Sequence, residues 1–164
     1  MRILVSTGVD YWLILVLIGP VKAFNDNVRT ALSGRASLVT DKGMSAIAQQ
    51  IATGGTSEKT NSSRPLNKAF VLASVLSAKP AGYAQACRAL AEADDPQYEK
   101  INAPTLIIAA AEDKTSPDAT TSSLAESIPG ASRVVLKETG HWLLVEDPEQ
   151  VARALQDFTV VNGR

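Results

Sequence analysis

The chain has 164 residues, 45% of them apolar, and a formal net charge of −1. That length suits one domain, or one domain with an insertion, and the apolar share is enough to bury a core. No basic stripe runs along it, which argues against nucleic acid or an anionic membrane as partner. Its lone cysteine, Cys87, and lone histidine, His141, exclude an intramolecular disulfide and an ordinary zinc site.

The first apolar run, Tyr11 to Ile18, is closed by Gly19-Pro20. With Arg2 ahead of it and Ala23 after it, the run resembles a secretory leader, but it falls short of the roughly 20 apolar residues a membrane-spanning helix needs. Asp10 abuts the apolar core and Lys22 precedes the would-be cleavage site, which count against a leader. A parallel strand buried on both faces reads as such a continuous run, and this is the preferred reading, with a cytoplasmic chain as its corollary.

From Asn25 to Ala93 the patterning is helical. Asp26 can cap a helix to about Val39, stopped by Asp41-Lys-Gly43, and a second helix fits Met44 to Thr53 before Gly54-Gly55. Thr56 to Pro65 (TSEKTNSSRP) is polar and aperiodic and reads as an exposed loop. Leu66–Ala78 and Ala81–Ala93 read as two further helices divided by Lys79-Pro80.

Thr105 to Ala111 (TLIIAAA) is a buried strand candidate, Pro117 to Ser127 a helix, and Ser132 to Lys137 another strand. A loop carrying His141 follows. The last helix, Pro148 to about Phe158, has a well-marked start: Asp147 at the N-cap, Pro148 at the first position and Gln150 placed for a capping box. Strand, four helices, strand, helix, strand, helix is the order of a parallel α/β sheet with a helical insertion after its first strand. Three parallel strands and two covering helices make a small layer, so the chain reads as part of a larger sheet whose open edge invites self-association.

Asp113 lies just past one predicted strand and His141 just past the next. In an open parallel sheet the carboxyl ends of the strands form the binding edge, so both residues project there and neighbouring strands would bring them together. A carboxylate bonded to one ring nitrogen fixes the tautomer of an imidazole and leaves the other nitrogen free as a base. The plainer alternatives are a turn residue for Asp113 and a loop histidine bonded to a carbonyl for His141. Trp142 reads as packing, and Cys87, between Ala86 and Ala89, as an inert core residue.

Three stretches now resemble the C-terminal half of an α/β-hydrolase: Pro104-Thr-Leu-Ile-Ile-Ala-Ala-Ala-Glu-Asp-Lys-Thr-Ser-Pro117, Thr139-Gly-His-Trp-Leu-Leu-Val-Glu-Asp-Pro148, and the helix from Glu149 to Phe158. Leu15 to Lys22 with the helices after it is similar to that family's sixth strand and cap. Gly82-Tyr-Ala-Gln-Ala-Cys-Arg-Ala-Leu-Ala91 leading to Asp94-Asp95 points within it to relatives of 3-oxoadipate enol-lactonases. The resemblance spans 13–160 and implies an incomplete α/β-hydrolase fold: 1–22 as N-terminal segment and first core strand, 23–100 as a helical cap, 101–164 as the end of the core.

It further implies Asp113 as the acid and His141 as the base of a serine triad, acting on a small-molecule ester or lactone without metal or organic cofactor. The family's Gly-x-Ser-x-Gly elbow does not occur in the chain, and the oxyanion-hole donors belong to the same upstream region. Ala110 stands where the family usually has Gly, and Met1 to Asp10 matches nothing in it, as a misplaced start or a truncated gene would produce. The expectation is a hydrolase-derived chain inactive as it stands. The alternative is a non-catalytic module that binds a small molecule or a protein.

Overall fold

The computed structural model describes residues 14–162. Strands β1 (Leu15–Ile18), β2 (Thr105–Ala110) and β3 (Ser132–Leu136) form one sheet, all parallel, in the order β1-β2-β3. β2 is buried at every position, which its unbroken apolar sequence permits and its central place demands. Its side chains alternate between two layers. Leu106, Ile108 and Ala110 pack against Val151, Ala154 and Phe158 of the last helix, while Ile107 packs against Leu124 and Ile128 on the other face. Each Leu or Ile sealed this way contributes about 1.5–3 kcal/mol relative to exposure. β3 is an edge strand, and Val134 and Val135 remain partly in solvent.

Between β1 and β2 stand five helices: α1 (Asp26–Lys42), α2 (Ser45–Gly54), α3 (Glu58–Ser63), α4 (Pro65–Ser77) and α5 (Pro80–Glu92), followed by a 3-10 turn, Tyr98–Lys100. They enclose their own core, in which Leu32, Val39, Met44, Ile47 and Val75 pack with Ala36, Ala48, Ala84 and the buried thiol Cys87. The entry and exit of this block are tied together. Arg29 donates to the carbonyls of Phe24 and Ala91, and Asp95 accepts from the Ala23 amide. After β2 come α6 (Asp118–Ser127), then past β3 a four-residue α7 (Leu143–Glu146) and α8 (Pro148–Asn162). No described helix is long and apolar enough to cross a membrane.

The structure departs from the sequence reading at several points. The supposed exposed loop Thr56–Pro65 holds α3, capped by the Ser57 side chain on the Thr60 amide, and Thr56, Ser57 and Thr60 are buried. Pro65 belongs to the first turn of α4 rather than to a loop. The insertion therefore has five helices, not four. Asn25, not Asp26, caps α1, accepting from the Val28 amide, and the helix runs on to Lys42. Asp147 caps α8 through the Gln150 amide as expected, but the Gln150 side chain returns to the Asp147 carboxylate rather than to its amide. α8 also continues one turn beyond Phe158, and α7 and the 3-10 turn carry too little periodicity to read. Of the first apolar run, Leu15–Ile18 is strand; the part before residue 14 lies outside the described residues.

Candidate active site

Asp113 and His141 meet at the carboxyl edge of the sheet. β2 ends at Ala110, and the Asp113 amide turns back onto the Ala110 carbonyl, so the carboxyl emerges just past the strand end. β3 ends at Leu136 and the chain then bends through Glu138, which adopts a left-handed φ of 51°, to bring His141 alongside. His141 Nδ1 lies 2.8 Å from Asp113 Oδ2. The Asp113 side chain is wholly buried, whereas the imidazole is about one-third exposed. The other carboxyl oxygen, Oδ1, accepts the amides of Thr115 at 2.8 Å and Ser116 at 2.9 Å. Three donors therefore converge on one carboxylate. With Nδ1–H directed at Asp113, Nε2 is the nitrogen left to accept a proton. Among the described residues no hydroxyl or thiol is bonded to Nε2.

Burial pushes the Asp113 carboxyl up, but the hydrogen bond from His141 and the amides of Ser116 and Thr115 outweigh it and hold the group below the usual carboxylate range. Linkage gives the consequence a sign. A carboxyl whose pKa folding lowers contributes stability that is whole above its unfolded value, about 3.9, and lost as pH falls through the lower folded value. The difference in urea midpoint between the chain and Asp113→Asn is therefore expected to be largest near neutral pH and to shrink below about pH 4. A difference constant down to about pH 2 would contradict it.

Glu112, beside the acid, points elsewhere: its Oε2 accepts the Glu58 amide at 2.8 Å. Gly19, at the end of β1, lies against the side chains of both Asp113 and His141. Its φ is +55°, and a Cβ there would sit 3.4 Å from Asp113 Oδ2 and 3.5 Å from His141 Nδ1. The residues after the histidine anchor in different layers. Trp142 packs into the core of the helical block, as its reading as packing expected, and Leu143 into the core between sheet and α8. His141 thus stands at the seam between the two. Ser116 is buried and donates its hydroxyl to the Pro20 carbonyl, away from any nucleophile role. A separate groove of about 470 Å³ runs between β3 and α8 over Leu136, Ala154 and Phe158, and neither Asp113 nor His141 lines it. Among the described residues no group of three or more His, Cys, Asp or Glu could hold a metal ion.

A buried carboxylate at the seam escaped the sequence reading. Glu146 is 1% exposed, and its oxygens accept the amides of Ser57 at 2.7 Å and Gly140 at 3.0 Å. The only signal for it was an acid closing the apolar run Leu143-Leu-Val145, where a solvent-facing residue would otherwise stand.

The sequence pattern of the alpha/beta hydrolase family matches residues 5–154. The chain belongs to that family. The match reaches back to residue 5, into the ten residues read above as unrelated to it. This alpha/beta hydrolase chain is 34% identical over 127 residues to the 3-oxoadipate enol-lactonase 2 of Acinetobacter baylyi, covering 77% of the chain and 47% of that relative. Among solved structures it is similar to a thermophilic esterase from Thermogutta terrifontis, with TM-score 0.82 and 26% identity over 88% of this chain and 54% of that one. The enol-lactonase from Burkholderia xenovorans shares the fold, with TM-score 0.81 and 23% identity over 90% of this chain and 56% of that one. The chain spans about half the length of these relatives, so its architecture is a partial α/β-hydrolase fold.

Proposed function

We propose that this chain supplies the acid and base of a serine hydrolase acting on small carboxylic esters or lactones, and that it is inactive without a nucleophile-bearing upstream half. The observation that carries the reading is the 2.8 Å bond between His141 Nδ1 and a fully buried Asp113 at the carboxyl edge of the sheet. In this reading the first core strand, Leu15–Ile18, and the stretch from 101 to the end of α8 belong to the core, and 23–100 is the cap that shapes the substrate pocket. His141 Nε2 takes the proton of an attacking serine hydroxyl and passes it to the leaving oxygen, then does the same for the water that releases the acyl group. Asp113 holds the ring and stabilises its charged form.

No Gly-x-Ser-x-Gly occurs in the sequence. Ablating a triad already reduces an enzyme to what binding and the oxyanion hole provide, roughly 10³–10⁴ over water, and the family's oxyanion donors lie upstream as well.

The test joins the upstream half of the Acinetobacter baylyi enol-lactonase, with its nucleophile segment, to residues 14–164 and follows a nitrophenyl ester. The chain alone is expected to give no turnover above buffer. The chimaera is expected to hydrolyse the ester, and His141→Ala to remove that activity. Turnover that survives His141→Ala, in either protein, would overturn the reading.

A further inference from the structure

The seam between the helical block and the sheet is closed next to His141 by contacts that leave little slack. Gly140 presses on the turn between α2 and α3: a Cβ there would lie 2.7 Å from the Gly55 carbonyl oxygen and 2.8 Å from the Ser57 nitrogen. Both are backbone atoms, so nothing can swing aside. The His141 amide donates to that same Gly55 carbonyl at 2.8 Å. Behind this junction sits Glu146, with Oε2 on the Ser57 amide at 2.7 Å and Oε1 on the Gly140 amide at 3.0 Å. One carboxylate thus holds both sides of the seam. Its own backbone is held as well, since Arg64 donates to the Glu146 carbonyl and Asn67 to the Val145 carbonyl at 2.6 Å.

A residue needed only to fill this space would be apolar, because a buried carboxylate is costly unless its oxygens are bonded. The two oxygens here face two N–H groups from segments 83 positions apart in the chain, Ser57 and Gly140. The second of these immediately precedes the histidine. We propose that Glu146 is a positioning residue for His141: its carboxylate clasps the α2–α3 turn to the Gly140-His141 loop and so sets the distance at which Nδ1 meets Asp113. The helical block thereby takes part in placing the base. This rests on His141 being the base, but its test reads the imidazole itself and needs no turnover, so either reading can fail without the other.

His141 is the only histidine, so a ring-nitrogen NMR spectrum of the whole chain holds one imidazole. In the unaltered protein that ring is expected as the Nδ1–H tautomer with a slowly exchanging Nδ1 proton. Glu146→Gln keeps the size but presents an NH₂ group to one of the two amides. It is expected to raise the exchange rate of the Nδ1 proton at least about tenfold, the factor that about 1.4 kcal/mol supplies, and to admit the other tautomer. Gly140→Ala, which forces the same seam apart without touching a carboxylate, should do likewise, and Lys59→Ala, on the exposed pair with Glu138, should not.

A folded Glu146→Gln protein, with the amide spectrum of sheet and α8 retained but the ring signals unmoved, would overturn the proposal. Hydrogen exchange in the unaltered chain decides the matter even if both seam variants unfold. The Ser57 and Gly140 amides and the Nδ1 proton are expected to share one opening event. A Nδ1 proton protected tenfold more or less than those amides would refute the coupling.

Discussion

Asp113→Asn is expected to lower kcat of the chimaera by about 10⁴ while leaving KM nearly unchanged, since in the proposed mechanism the group acts on the transition state through the imidazole. The two carboxyl oxygens have separate duties. Oδ1 holds the Thr115 and Ser116 amides and Oδ2 faces His141 Nδ1. Asparagine can satisfy only one of them. If its carbonyl oxygen stays with the two amides, its NH₂ points at Nδ1, which must then be the unprotonated nitrogen. The proton moves to Nε2, where a base is required. If the amide flips, an NH₂ group opposes two N–H donors in a fully buried position, a loss of about 1–3 kcal/mol per unsatisfied group. The first arrangement predicts a folded, inactive protein, and the ring-nitrogen spectrum of the 164-residue chain alone reports the tautomer directly. A fall in kcat of less than about tenfold would remove Asp113 from the role assigned to it.

The parts of the fold that were legible are those whose cause is local. The unbroken apolar run of β2, the Pro-started helices α5 and α8 and the Asp147 cap each carry their reason within a few residues. Asn25 and Asp26 differ as caps by a single register step, and both are good capping residues, so sequence could not choose between them. α3 was lost for a different reason. Glu-Lys-Thr-Asn-Ser-Ser has no apolar stripe, and a helix of six residues is unstable alone. Its first amides are instead held by Glu146 and Glu112, which lie 89 and 54 residues away from Ser57 and Glu58.

The site divides in the same way. That Asp113 and His141 share an edge followed from strand order, since β2 and β3 are neighbours. Glu112 and Asp113 both follow β2, and the geometry separates them by direction: one carboxyl turns to α3, the other to the imidazole. Glu146 could not be read, because its partners are two backbone amides on segments that only the folded chain brings together.

Two glutamates eight positions apart make the last contrast, and it concerns stability. Glu138 forms an ion pair with Lys59 at 2.8 Å, yet its side chain is 65% exposed and that of Lys59 39%. Water and salt screen such a pair, so Glu138→Ala is expected to leave the urea midpoint within experimental error. Glu146 is 1% exposed and satisfies the amides of Ser57 and Gly140, and among the described residues no cation pairs with its carboxylate. Glu146→Ala removes both acceptors at once and leaves two buried N–H groups without partners, each costing about 1–3 kcal/mol. The expected loss is about 2–5 kcal/mol, because relaxation of the seam recovers part of the sum. With an m-value of about 2 kcal/mol/M, that moves the urea midpoint down by roughly 1–2.5 M.

The ordering matters more than the sizes. Surface charge counting would rank the ion-paired Glu138 above Glu146, whereas the buried hydrogen bonds reverse that order. Equal midpoints for the two alanine variants would show that the Ser57 and Gly140 amides find other partners, and with them the tie between the helical block and the histidine would be gone.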